Sequence, residues 1–210
     1  MSGLFVVFEG IDGAGTTTQC RLLADRLRAD RPGARVHVTA EPSGGPAGTL
    51  VRHVLRERVV GTTALGVARP FDRRALALLF AADRLDHVAT EVQPLVDAGW
   101  VVVSDRYLLS SLAYQGMDAP VEWVATANGF APPPDVMFFL DVPAPVGWAR
   151  IRDSRPGRDI FEAPDTLDRV AAAYHAALPV CPVTRLEVID GTLPPEEVAA
   201  RVWSVTSAMV

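Results

Sequence analysis

Residues 4–19 read LFVVFEGIDGAGTTTQ, and the rest of the chain is organised around them. The apolar run from Leu4 to Phe8 is typical of a strand that is buried on both faces. A glycine-rich turn follows it directly, and apolar residues at helical spacing follow Gln19. A strand, a glycine loop and a helix in this order are the layout of a phosphate-binding loop, whose backbone N–H groups and helix N-terminus attract anions.

The loop departs from the phosphate-binding consensus G-x-x-x-x-G-K-[ST] at one position. Gly10, Gly15 and Thr17 match it, but Thr16 stands where the consensus has lysine. That lysine normally reaches the outer phosphates of the bound nucleotide. No other lysine can replace it, because all 20 basic residues of the chain are arginines. Taken alone, the loop therefore also fits an ordinary glycine-rich turn between a strand and a helix.

Length and composition limit the class of protein. The 210 residues are 49% hydrophobic, which is enough for one domain with a substantial core. The net charge of −5 argues against a protein that binds nucleic-acid polymers non-specifically. No apolar run approaches the length of a membrane span. No signal peptide is visible and the cysteines, Cys20 and Cys181, lie far apart, so we expect a reducing cytoplasm.

Hydrophobic patterning predicts five strands that alternate with helices, and therefore an α/β fold whose parallel sheet is covered by helices on both faces. The helix over residues 71–96 is expected to bend, or a second helix to start, at Pro94. The residues between about 59 and 66 are expected to be weakly structured. The predicted strands cover residues 4–8, 35–39, 100–104, 136–140 and 186–189.

Six motifs occur in the order found in thymidylate kinases, and the chain resembles that family over nearly its whole length. The resemblance implies a P-loop NTPase fold in a single domain over residues 1–210, with a mobile lid at about residues 152–162. It also implies a homodimer that forms through the helical region 71–96. The motifs are FEGIDGAG (8–15), EP (41–42), LLFAADR (78–84), SDRY (104–107), SSLAYQG (110–116) and RDIFE (158–162), completed by Tyr174.

The resemblance implies which residues bind the donor, ATP, and its Mg²⁺. Thr17 and Asp105 would lie at the metal, and Asp105 with Arg106 would act in catalysis. One variety of the family lacks a basic residue within its loop and supplies arginines from the lid instead, which here implies Arg152, Arg155 and Arg158. The ATP phosphates would be bound by the loop residues Gly10, Asp12, Gly13, Ala14, Gly15, Thr16, Thr17 and Thr18.

The resemblance also implies an acceptor site for a nucleoside monophosphate. Phe80 would stack on its base, because a rigid aromatic face suits that role. Arg84 would hydrogen-bond a carbonyl of the base, and Arg106 would hold the phosphate with two N–H groups. The other acceptor residues would be Asp12, Glu41, Arg52, Ser111 and Tyr114.

Three departures from the family pattern leave the activity open. Thr16, Ala40 and Ile160 each replace a basic residue that belongs near a phosphate. One hypothesis is an active kinase that transfers the terminal phosphoryl group of ATP to dTMP or a related pyrimidine monophosphate. A second is a divergent kinase of a modified nucleotide or another small acceptor, and a third is a nucleotide-binding protein without catalysis. The retained catalytic residues favour the first hypothesis.

Overall fold

A computed structural model describes residues 3–154 and 164–210, and the predicted lid residues Arg155 and Arg158 lie outside the described residues. The five predicted strands are confirmed and form one parallel sheet of order β2-β5-β1-β6-β7, while β3 and β4 form a separate antiparallel hairpin. The strands are β1 (Leu4–Glu9), β2 (Val36–Ala40), β3 (Gly61–Thr62), β4 (Ala68–Arg69), β5 (Val101–Asp105), β6 (Val136–Asp141) and β7 (Leu186–Asp190).

Strand β1 is the centre of the sheet. All six of its residues are buried, as the continuous apolar run predicts. Val6 is in register with Val103 of β5 on one side and with Val136 of β6 on the other. Because all five strands are parallel, their carboxyl ends meet at one edge, and the glycine loop leaves β1 in the middle of that edge.

Helices flank this sheet, so the predicted fold class is confirmed. Helix α2 starts with a proline, Pro46, at a position where the missing N–H is harmless. Helix α3 is capped by Asp72, whose carboxylate accepts hydrogen bonds from two backbone N–H groups. The helices are α1 (Thr16–Asp30), α2 (Pro46–Leu55), α3 (Arg73–His87), α4 (Gln93–Asp97), α5 (Leu108–Tyr114), α6 (Val121–Ala127), α7 (Ala144–Ser154), α8 (Pro164–Ala177) and α9 (Pro195–Thr206).

The structure corrects one local prediction and refines another. The stretch up to Gly66 was expected to be weakly structured, but it enters the β3–β4 hairpin, whose turn uses the positive φ of Gly66 (+77°). Of the two alternatives predicted at Pro94, a bend or the start of a second helix, the structure has the second: α4 begins at Gln93, and Pro94 is its second residue. A π-helical turn over Val88–Val92 connects α3 to α4, which apolar spacing alone does not reveal.

The core fills the space around the central strand. Phe8 of β1 stacks on Phe138 of β6 with ring centroids 5.2 Å apart. Phe5 meets Tyr107 edge to face at 5.1 Å. Cys20 is buried with a free thiol and packs in the core as a small hydrophobic side chain. No helix in residues 3–154 or 164–210 has the length and apolar character needed to cross a membrane.

Candidate active site at the carboxyl edge of the sheet

A cavity of about 500 Å³ opens at the carboxyl edge of the sheet, where the glycine loop meets α3, α5 and α7. Its volume suits a nucleotide-sized ligand. Most of the predicted site residues line it, namely Asp12, Gly13, Gly15, Thr16, Thr17, Thr18, Glu41, Phe80, Arg84, Asp105, Arg106, Ser111 and Tyr114.

The glycine loop lies in backbone contact with helix α7. Gly13 and Gly15 have φ angles of +81° and +96°, which favour glycine. A Cβ atom on Gly13 would lie 2.3 Å from the carbonyl oxygen of Gly147, and one on Gly147 would lie 2.7 Å from that of Asp12. This close approach fixes α7 against the loop. It also brings in Arg150, one turn further along α7, whose Nη1 donates to the Gly13 carbonyl at 3.2 Å.

Arg150 is a cation at the phosphate loop that the sequence analysis missed. Its half-buried side chain lines the cavity together with Thr16, the residue in the place of the usual lysine. The sequence signal for Arg150 was its position three residues after Gly147, because residues three apart share one face of a helix. Arg152, which the resemblance implied as a lid arginine, is exposed and is not among the described residues that line the cavity.

We expect the substitution Gly147→Ala to displace the loop. Alanine favours a helix over glycine by up to about 1 kcal/mol, so α7 alone would become more stable. The added methyl group, however, would collide with the backbone of the loop, where it cannot be accommodated by a side-chain rotation. The expected result is a lower melting temperature and weaker ATP binding, measured by thermal denaturation and calorimetry. An unchanged ATP affinity would show that the contact between Gly147 and the loop does not position the loop for ATP binding.

Thr17 at the start of α1 and Asp105 at the end of β5 form a hydrogen-bonded pair of oxygen-bearing side chains. The Thr17 hydroxyl donates to one carboxylate oxygen of Asp105. The other, Oδ1, is buried and has no hydrogen-bond partner among the described residues. Asp105 is in register with Phe8, so the sheet places its carboxylate beside the loop. Hydroxyl and carboxylate oxygens are ligands that Mg²⁺ prefers, and the pair therefore fits the predicted metal site.

Arg106 is held in a strained backbone conformation with its guanidinium group fixed. Its φ of +75° is unusual for a residue with a side chain and costs about 1–3 kcal/mol. Nη1 donates to the carbonyl of Gly10 at 2.9 Å and to the hydroxyl of Tyr174 at 2.8 Å, while Nη2 donates to Asp12 at 2.5 Å. Contacts within the protein therefore fix the orientation of this guanidinium.

Beneath Arg106 lies a buried carboxylate, Glu9, that the sequence analysis did not assign to the site. Its Oε1 accepts hydrogen bonds from the backbone N–H groups of Tyr107 and Ser110, and its Oε2 accepts one from the Ser110 hydroxyl at 2.5 Å. Burial raises the pKa of Glu9 above its ordinary value, although the bonds from Ser110 and the charge of Arg106 oppose this. Glu9 thus anchors the start of α5 directly behind Arg106.

The far end of the cavity has an aromatic face and a buried guanidinium. Phe80 and Arg84, one turn apart on α3, both line it. Arg84 is 1% exposed and donates to the Ser111 hydroxyl at 3.0 Å and to the Tyr107 carbonyl at 2.9 Å. Asn128, which the sequence analysis missed, accepts a further hydrogen bond from it.

Three other predicted or missed residues complete this description. The Tyr114 hydroxyl donates to Asp12 at 3.1 Å, which connects the two ends of the cavity. Gln115 was missed by the sequence analysis; it lines the cavity, and its Oε1 has no partner in the described part of the chain. Arg52 donates to the Pro42 carbonyl at 2.6 Å and lies outside the cavity lining, so its acceptor role stays a prediction.

These features define a class of protein. A glycine loop follows the central strand of this parallel sheet, and the Thr17–Asp105 pair and the oriented guanidinium of Arg106 lie beside it. This is the arrangement of a P-loop nucleotide kinase. The family model for thymidylate kinase matches residues 8–202. The chain belongs to the thymidylate kinase family.

Individual relatives agree with the family model. A thymidylate kinase of Thermomicrobium roseum is 39% identical over 98% of this chain and 95% of its own length. A probable thymidylate kinase of Pyrobaculum aerophilum is 38% identical over 98% of this chain and 97% of its own. A thymidylate kinase of Xanthomonas campestris pv. campestris is 40% identical over 83% of this chain and 71% of its own.

Proposed function

We propose that this protein transfers the γ-phosphoryl group of ATP to dTMP and releases dTDP and ADP. The observation that carries the proposal is one continuous cavity, which joins the glycine loop and Arg106 at one end to Phe80 and Arg84 at the other. The relatives named thymidylate kinase favour this activity over an altered acceptor or over binding without catalysis.

Phosphoryl transfer depends mainly on positioning and on the neutralisation of charge, because the protein forms no covalent bond to the phosphate. In this proposal the loop amides hold the donor phosphates, and Arg106 holds the acceptor phosphate through two N–H groups. Thr17 and Asp105 would hold Mg²⁺, which when bound neutralises charge on the outer phosphates. Asp12, which pairs with Arg106 in this structure, would lie at the acceptor's phosphate or sugar.

The acceptor's base fits the other end of the cavity in this proposal. Phe80 offers a rigid apolar face for stacking, and the buried amide of Gln115 together with Arg84 offers polar groups that select among bases. A pocket with unpaired polar groups rejects ligands that leave these groups unsatisfied, and this is the physical basis for selecting one base.

Arg150 is proposed to supply the charge that Thr16 lacks. Its guanidinium already contacts the loop through the hydrogen bond to the Gly13 carbonyl. The lid arginines Arg152, Arg155 and Arg158 stay predictions beside it. A single-domain organisation with a lid at about residues 152–162, a homodimer formed through the region 71–96 and a cytoplasmic location also belong to the proposal. For the homodimer, half-exposed Leu78 on α3 offers apolar surface.

The proposed activity is tested by a coupled ADP-release assay over a panel of nucleoside monophosphates. We expect Mg²⁺-dependent ADP formation that dTMP stimulates more than the purine monophosphates do, because in this proposal the cavity residues Phe80 and Arg84 contact the base of a pyrimidine nucleotide. Omission of Mg²⁺ is the control. A rate equal to the background for every pyrimidine monophosphate would contradict the proposal.

A further inference from the structure

A buried polar cluster extends from the wall of the cavity into the protein interior. It consists of Glu41 and Arg84, which line the cavity, and His87, and these residues are 6%, 1% and 2% exposed. Glu41 Oε2 lies 2.7 Å from Arg84 Nη2, and Glu41 Oε1 lies 3.2 Å from His87 Nδ1. One carboxylate is thus shared between the arginine that lines the cavity and a histidine that is not among the lining residues.

A line of polar contacts runs from His87 to the surface. His87 Nε2 lies 2.8 Å from the Thr39 hydroxyl and 3.6 Å from a carboxylate oxygen of Glu91. The same oxygen of Glu91 lies 2.7 Å from Nε2 of His37, and both of these side chains are 35% exposed. The buried imidazole therefore has a route for proton exchange with solvent, and both of its nitrogens have partners.

The charges that face His87 come from every element around it. Glu41 follows β2, Glu91 lies on the π-helical turn and Asp83 lies on α3, whereas Arg84 and half-exposed His37 are the basic groups on this side. Burial disfavours a charged imidazole. The hydrogen bond to Glu41 and the charges of Glu41, Glu91 and Asp83 nevertheless raise the pKa of His87 above its ordinary value.

We propose that His87 is a positioning residue for acceptor binding, which anchors the carboxylate of Glu41 from behind and so sets the guanidinium of Arg84 in the base pocket. With His87 charged, Glu41 is shared between two cations, and Arg84 keeps positive potential toward the base. With His87 neutral, the negative charge of Glu41 is balanced by Arg84 alone, and the carboxylate is no longer held by a charged imidazole. This inference rests on the proposed function, in which Arg84 faces the acceptor's base.

The first test compares His87→Gln with His53→Gln, whose residue is exposed on α2, in the ADP-release assay. Glutamine keeps polar contacts but cannot carry a charge. We expect His87→Gln to raise the KM for dTMP about tenfold, the order expected for one charge-assisted hydrogen bond, with kcat and the KM for ATP changed less than about twofold. His53→Gln should match the wild type.

The pH profile separates a positioning role from a merely structural one. As the pH rises above the ordinary pKa of histidine, the KM for dTMP of the wild type should rise because His87 loses its proton. The KM of His87→Gln should be high throughout and should lack this additional rise. Ionisation of the dTMP phosphate affects both proteins equally, so the difference reports on His87. A variant that keeps both the wild-type KM and its pH dependence would overturn the inference.

NMR titration of the four histidines of the wild type provides a test that does not depend on the variant folding. Because binding and protonation are linked, saturation with dTMP should raise the pKa of His87. If saturation with dTMP left the pKa of His87 unchanged, the inference would be overturned while the proposed function would stand. A wild-type protein that neither binds nor turns over dTMP would overturn the proposed function instead.

Discussion

Replacement of Arg106 with lysine is expected to lower kcat/KM for dTMP by about 10²–10³-fold, the effect of removing one preorganised donor from an active site. Lysine keeps the positive charge but presents it as a single flexible point, so it cannot hold two phosphate oxygens in a fixed plane. The contacts to Gly10, Asp12 and Tyr174 that aim the guanidinium would also be lost. Steady-state kinetics with dTMP varied at saturating ATP would measure the effect.

The matched control for this substitution is Arg74→Lys. Arg74 is exposed at the start of α3, lies outside the cavity lining and pairs at the surface with Asp72. Thermal denaturation of both variants would show whether Arg106→Lys also destabilises the fold, because the substitution disturbs the partly buried ion pair with Asp12. If Arg106→Lys kept kcat/KM within about threefold of the wild type, the proposed contact between Arg106 and the acceptor phosphate would be wrong.

Replacement of Arg150 with methionine should lower kcat by about 10²–10³-fold if this side chain supplies the charge that the loop lacks. The side chain keeps much of its apolar volume, so the packing of α7 on the loop should persist. The decisive variant is the double substitution Arg150→Met with Thr16→Lys. A lysine at position 16 would place its ammonium group where the consensus loop has one, and it should restore most of the lost rate.

The same design contains its own controls. Thr16→Lys alone should change the rate little, because the wild-type site already has a cation at the loop. Arg201→Met removes an exposed arginine of α9 and should leave all parameters unchanged. A large gain in kcat from Thr16→Lys in the wild-type background would instead show that the wild-type site lacks positive charge. Full activity in Arg150→Met would show that Arg150 does not supply that charge.

Several elements of the fold could be predicted because their signals are local. The continuous apolar run of β1 predicts burial on both faces, and the glycines that follow predict a turn with positive φ, as Gly13 and Gly15 show. Alternation of strands with helices predicts a parallel sheet, since each crossover requires a helix. The π-helical turn and the β3–β4 hairpin could not be predicted, because neither interrupts the apolar pattern strongly enough to be recognised.

The candidate site divides in the same way. Residues that belong to contiguous motifs, such as Thr17, Arg84 and Asp105, were predicted, and the structure places them around one cavity. Glu9, Tyr174 and Arg150 were not assigned to it, although Glu9 and Tyr174 lie within or beside recognised motifs. Their roles depend on contacts between residues that are far apart in sequence, such as the hydrogen bond from Arg106 to Tyr174.

The sequence by itself determined the strand, loop and helix around which the protein is built, the parallel α/β architecture and membership of a kinase family. These properties follow from hydrophobic periodicity and from short motifs, and both of these are local features of the sequence. Only the tertiary structure decided which cation stands at the lysine-free loop and which groups hold Arg84 and Arg106 in place. Those choices depend on the backbone contact of Gly13 with Gly147 and on buried carboxylates, because packing brings together residues that no local pattern relates.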